Sequence, residues 1–113
     1  MMLTDTSSPI TVDSTEGQPL RLTLRGNLTV YEAESLHETA MTLLPGEADV
    51  VVACHDLAHC DTSVLQVLLV LQRELRARSR DLRLEGLSLE LRESLELAAV
   101  ADTLIGQRTA QTA

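Results

Sequence analysis

The chain has 113 residues, 44% hydrophobic and 23% charged, with a formal net charge of −8. That length and balance describe one globular domain, able to bury about two-thirds of its unfolded surface without disulfides. An acidic chain with no Lys and a single aromatic, Tyr31, lacks the basic footprint and stacking platform of a nucleic-acid binder, and no apolar run approaches the ~18 residues of a membrane span.

Residues 1–9, rich in Thr, Asp, Ser and Pro, read as a disordered lead-in. They begin without Lys or Arg, unlike a secretory signal. Two Cys without an export signal imply reduced thiols and a cytoplasmic setting. Ile10 and Val12 alternate with polar residues and predict a short edge strand. Glu16-Gly17-Gln18-Pro19 is turn chemistry. Leu20, Leu22 and Leu24 then alternate with Arg21, Thr23 and Arg25, so an antiparallel hairpin is expected. Gly26-Asn27 is expected to break the second strand.

Thr29 with Glu32 three residues on forms a capping-box signature. Ala33, Leu36, Ala40, Leu43 and Leu44 follow at helical spacing, and Pro45-Gly46 ends that helix. The run from Asp49 to Cys54 is apolar without alternation, as in a central strand covered on both faces. A second helix is expected from Asp61-Thr62-Ser63 to about Arg78. Ser79-Arg80-Asp81 connects it to a short strand, Leu82–Gly86. Ser88 is placed to cap a third helix carrying Leu91, Leu95 and Ala98, and Asp102–Ile105 is placed to add a turn. The domain therefore spans 10–105, with 106–113 a flexible tail. Strands alternating with helices after a hairpin make this an α/β fold: a mixed open sheet of about four to five strands with three to four helices.

The informative segment is the strand-to-helix turn His59-Cys60-Asp61-Thr62-Ser63-Val64-Leu65-Gln66. Such turns lie at the carboxyl edge of an α/β sheet, where ligands and partners dock. Asp61, Thr62 and Ser63 fit two readings. One is helix capping. The other is phosphoacceptance at Thr62 or Ser63, where the positive end of the helix dipole tolerates a dianion.

Gly26-Asn27-Leu28-Thr29, the Val50–Cys54 strand, Asp61-Thr62-Ser63-Val64-Leu65 and Leu82-Arg83-Leu84-Glu85-Gly86 with its capped helix, in that order, resemble a STAS domain. The resemblance covers about residues 10–105. It implies that the hydroxyl directly after the Asp, Thr62 with Ser63 beside it, is the phosphoacceptor of the anti-sigma-factor-antagonist branch. It also implies a partner of the serine-kinase, anti-sigma type, bound through Gly26, Asn27, Thr29, Asp61, Val64, Gln66, Val67 and Val70. The chain departs from that pattern at three places. Val64 stands where many antagonists have Gly, which would narrow access to the hydroxyl. Gly-Asn-Leu-Thr replaces the common Gly-Glu-Leu-Asp turn, and Ala53-Cys54 ends the strand where Asp-Leu or Asn-Leu is common. The resemblance equally accommodates a stand-alone subunit that binds the ATPase of a phospholipid ABC transport complex, because Thr follows Asp there too. A homodimer is left open.

Other constellations are weaker. Cys54, His55, His59 and Cys60 are zinc-ligand types, but they sit within seven residues and lack a distant second pair. The expected roles are buried small hydrophobes for the Cys and exposed loop residues for the His. Ser63, His59 and Asp61 are crowded into one turn with no oxyanion-hole motif, and no Gly-rich phosphate loop occurs. No enzyme activity, metal or cofactor is implied. In the second helix, Val67, Leu69 and Val70 lie off the core stripe of Leu65, Leu68, Leu71 and Leu75. They fit either burial by neighbouring helices or a docking face. Arg73, Arg76, Arg78, Arg80 and Arg83 read as a solvated helix end. Glu32, Glu34 and Glu38 read as a solvated face able to steer a basic partner. The charge is uneven: residues 1–60 hold two Arg against nine Asp and Glu. With so few aromatics, docking is expected to rest on aliphatic contacts and backbone.

Overall fold

The alternation around Leu20–Leu24 does make the second strand of a hairpin. In the computed structural model β1 (Ile10–Asp13) pairs antiparallel with β2 (Leu20–Leu28), Ile10 opposite Leu24 and Val12 opposite Leu22. Then follow α1 (Val30–Leu43), β3 (Val50–Cys60), α2 (Thr62–Arg76), β4 (Leu82–Glu85) and α3 (Leu89–Ala110). The structure describes residues 8–110; the parts of the lead-in and tail at 1–7 and 111–113 lie outside the described residues.

The sheet order is β1-β2-β3-β4, with β2–β3 and β3–β4 parallel. Four strands and three helices among the described residues match the mixed α/β sheet expected. Each crossover advances one strand in the same direction. Right-handed connections therefore put α1 and α2 on one face, and α3 packs beside α2. The core fills the space between that helix row and the sheet. It is aliphatic throughout: Leu22, Leu24, Val50 and Val52 from the strands meet Leu36, Leu65, Leu68, Leu71, Leu75 and Leu91 from the helices. Each such side chain contributes roughly 1.5–3 kcal/mol by leaving water. Val51 and Ala53 turn to the other face and are buried there as well. Arg21 and Glu85, from the flanking strands, pair at 3.5 Å. The central strand is thus buried on both faces, as its unalternating run suggested.

Three elements differ from expectation. Gly26-Asn27 does not break β2. Gly26 has φ 75 and stays within the strand, pairing with Leu57, while Asn27 pairs with His59. Glycine adopts that backbone without the penalty a side chain would bring. Second, β3 runs on to Cys60. Between Thr23 and Arg25 the register advances two residues on β2 but three on β3, and between Gly26 and Asn27 it advances one against two. These two bulges convert the burial period from two to three. Cys54, Leu57 and Cys60 point inward, and the pairs His55-Asp56 and Ala58-His59 face out. Third, α3 does not stop near Ile105, and its backbone continues helical through 106–110.

One arginine leaves the expected solvated cluster. The turn after α2 closes with Arg80 N–H donating to Leu75 O (2.8 Å) and Ser79 N–H to Arg76 O (3.0 Å), with Ser79 at φ 61. This is a Schellman closure. It turns Arg80, 5% exposed, under the end of α1. Its guanidinium donates to Leu43 O (2.9 Å), Leu44 O (2.5 Å) and Ala48 O (2.7 Å). A cation there satisfies the Leu43 and Leu44 carbonyls that the end of α1 leaves unpaired, ties in the loop at Ala48, and complements the helix dipole.

Candidate functional site

Parallel neighbours end together, so the helices that follow them start together. β2 and β3 finish as the pair Leu28–Cys60, and Asp61 N–H donates to Leu28 O at 2.8 Å. The N-termini of α1 and α2 therefore stand side by side at the carboxyl edge of the sheet.

Each start has its own cap. At α1, Tyr31 N–H donates to Thr29 Oγ1 (3.2 Å), while Thr29 donates its N–H and its hydroxyl to Glu32 Oε1 (both 2.6 Å). This is the capping box read from the sequence. At α2, Asp61 Oδ2 accepts from Ser63 N–H (2.9 Å) and from Ser63 Oγ (2.6 Å). Those bonds favour the ionised carboxylates. The Ser63 hydroxyl, ahead of its N–H, holds Asp61 below the usual aspartate pKa, and the Thr29 hydroxyl and N–H do the same for Glu32.

The two candidate hydroxyls are therefore unlike. Ser63 is half-buried, and its hydroxyl donates a hydrogen bond to Asp61. Thr62 is exposed, and its hydroxyl makes no hydrogen bond among the described residues. The expected partner-facing set divides in the same way. Gly26, Asn27, Thr29, Asp61 and Gln66 are exposed at or beside the edge, and Val67 and Val70 are half-buried. Val64 is corrected: it is 0% exposed and joins the core. With its side chain in the core, it offers no surface to a partner. The sequence reading also missed two exposed apolar side chains at this edge, Val30 and Tyr31, the latter 80% exposed.

Below the edge, Cys54 and Cys60 are free, buried thiols. Burial pushes Cys54 up to about 11, and burial followed by the Asp61 charge raises Cys60. Protonated, enclosed thiols are poor nucleophiles and poor metal ligands. The His residues beside them belong to β3 and not to a loop. The His55 ring lies over Gly86, whose φ of 75 and lack of a side chain admit it: a Cβ there would stand 2.5 Å from the ring. No described helix is long and apolar enough to cross a membrane.

The sequence matches the family model described as "Mlab, STAS domain" over residues 7–106. The chain belongs to the STAS domain family. No functionally curated protein matches it. Among solved structures this STAS domain resembles the anti-sigma factor antagonist SpoIIAA in its unphosphorylated form, at TM-score 0.67 and 20% identity, over 74% of this chain and 78% of that one. It likewise resembles the Bacillus cell fate determinant SpoIIAA in the phosphorylated form, at 0.68 and 18%, over 82% and 86%. A STAS-domain antisigma-factor antagonist from Rhodobacter sphaeroides follows at 0.52 and 20%, over 68% and 84%. At these identities the likeness is one of fold.

Proposed function

We propose that this STAS domain is a non-catalytic, cytoplasmic partner-switching protein of the anti-sigma-factor-antagonist kind. A serine/threonine kinase-type partner docks on the carboxyl edge, using Gly26, Asn27 and Thr29 from one strand-to-helix turn and Asp61, Gln66, Val67 and Val70 from the other. The kinase transfers the γ-phosphoryl group of ATP to Thr62 Oγ1. The hydroxyl proton goes to the kinase's base and ADP leaves. The modified edge then binds less tightly. The observation that carries this reading is the difference between the hydroxyls: Thr62 is exposed and unengaged, whereas Ser63 is bonded to Asp61. The fold likeness to SpoIIAA, solved in unphosphorylated and phosphorylated forms, supports it.

The phosphate acts locally. It adds close to two negative charges beside Asp61 on an already acidic edge. In a kinase complex Thr62 faces the nucleotide's own phosphates, so the modified side chain and bound ADP repel. The test is incubation with the kinase encoded nearby and ATP, followed by peptide mapping. Expected is one phosphate on Thr62, lost in Thr62→Ala and retained in Ser63→Ala. An unmodified chain, or phosphate on Ser63 alone, contradicts the reading.

A second reading draws on the matched family model, whose description is Mlab and not an antagonist. In it the same edge binds the ATPase of a phospholipid ABC transport complex, and Thr62 is a contact instead of an acceptor. A pull-down that recovers an ABC ATPase and no kinase favours it.

A further inference from the structure

We propose that the solvent-facing ridge of α1 extends the Thr62 edge into a larger docking surface, and that its occupant is an Arg- or Lys-bearing face of the same partner. The inference rests on the reading of that edge as a kinase-type docking site. Tyr31, Glu34, Glu38 and Met41 follow one another at steps of three and four residues, so they line one ridge. All four are exposed, and Ala33, Leu36, Ala40 and Leu43 are buried on the opposite side of the helix.

Two features of the ridge are unfavourable for α1 alone. Glu34 and Glu38 are like charges one turn apart, which destabilises a helix. α1 contains no Arg or Lys, and no ion pair reaches either carboxylate among the described residues. On α2, by contrast, Glu74 is paired with Arg78 at 2.9 Å. Tyr31, the sole aromatic, is 80% exposed in a chain that had a wholly buried core to put it in.

Charge complementarity identifies the occupant. An exposed ring flanked by carboxylates suits a guanidinium or ammonium, which packs on the ring face and pairs with the acids. The ridge is continuous with the edge, because Tyr31 N–H is bonded to Thr29 beside the Leu28–Cys60 pair. Tyr31 supplies the aromatic anchor that composition had argued against, and anchors of this kind dominate interface energetics. The phosphate at Thr62 and the cations at the ridge act at different points, so modification releases the partner without altering the ridge.

The test measures affinity for the purified kinase that phosphorylates Thr62, at 50 and 200 mM NaCl. It compares wild type, Glu34→Arg/Glu38→Arg, Tyr31→Ala and a control reversal, Glu93→Arg/Glu96→Arg, on the exposed side of α3. Circular dichroism checks that each variant is folded, and Tyr31→Phe serves as a conservative companion. Expected at the lower salt are at least about tenfold weaker binding for the α1 reversal and about tenfold for Tyr31→Ala. The α1 reversal should also have a flattened salt dependence, with the control and Tyr31→Phe within about twofold of wild type. Wild-type binding with an unaffected α1 reversal overturns the ridge and leaves the Thr62 reading intact. Absence of both wild-type binding and phosphorylation overturns the Thr62 reading, and the ridge with it.

Discussion

At the residue scale, the two sides of Asp61 behave differently. Thr62 is exposed with its hydroxyl unbonded among the described residues, and Ser63 is committed to the cap. The cap carries a pH signature. Because the folded-state pKa of Asp61 lies below its ordinary value of 3.8, its contribution is present above that value and disappears as pH falls through the lower, folded one. Asp61→Asn should therefore lower the urea midpoint at pH 7, and its gap from wild type should close below about pH 4; a gap that persists in acid assigns the effect to packing. The thiols give a second readout. Cys54 and Cys60 should resist iodoacetamide at pH 8 in the folded chain and react completely in urea, since both are buried and Cys54 is pushed up to about 11. The Thr29–Glu32 cap was legible in the sequence because its bonds span three residues. The burial of Val64 and exposure of Tyr31 were not legible. Both sit in the first turn of a helix, where too few residues precede them to set the phase of the apolar face, and only tertiary packing decides it.

At the element scale, the hairpin and all three helices were readable from periodicity, and the second half of β3 was not. Period two is a strand signal only while the ladder is regular. Two bulges impose a period of three from Cys54 to Cys60, and a three-residue repeat of apolar and polar side chains looks like loop. Gly26 misled for a related reason: a residue that reads as a breaker instead lets β2 follow the irregular ladder at positive φ. The bulges also move the site, since they carry β3 to the same finishing line as β2 and bring the two helix starts together. A long-range tie such as Arg80 cannot be read from local pattern either, because it bonds carbonyls more than thirty residues away. Arg80→Met should keep most of the side-chain volume and cost roughly 2–4 kcal/mol, by leaving buried carbonyls unpaired. Urea unfolding measures it, and a loss below about 0.5 kcal/mol, the usual surface value, would show that water replaces the guanidinium without cost.

At the scale of the whole molecule, the charge imbalance acquires a location. The net −8 lies almost wholly in residues 1–60, and part of it stands on α1 beside the Thr62 edge without local cations. The Arg-rich end of α2 is at the opposite end of that helix, where Arg76–Asp81 and Arg78–Glu74 pairs neutralise much of it. The core beneath that edge includes Leu28, Cys60 and Val64 but neither hydroxyl. A phosphate at Thr62 should therefore change recognition without unfolding the domain. The direct measurement compares chain phosphorylated at Thr62 with unmodified chain, in affinity for the kinase and in urea stability. The account predicts at least about tenfold weaker binding with stability within about 0.5 kcal/mol of the unmodified chain. Equal affinities, or weaker binding accompanied by unfolding, would contradict it.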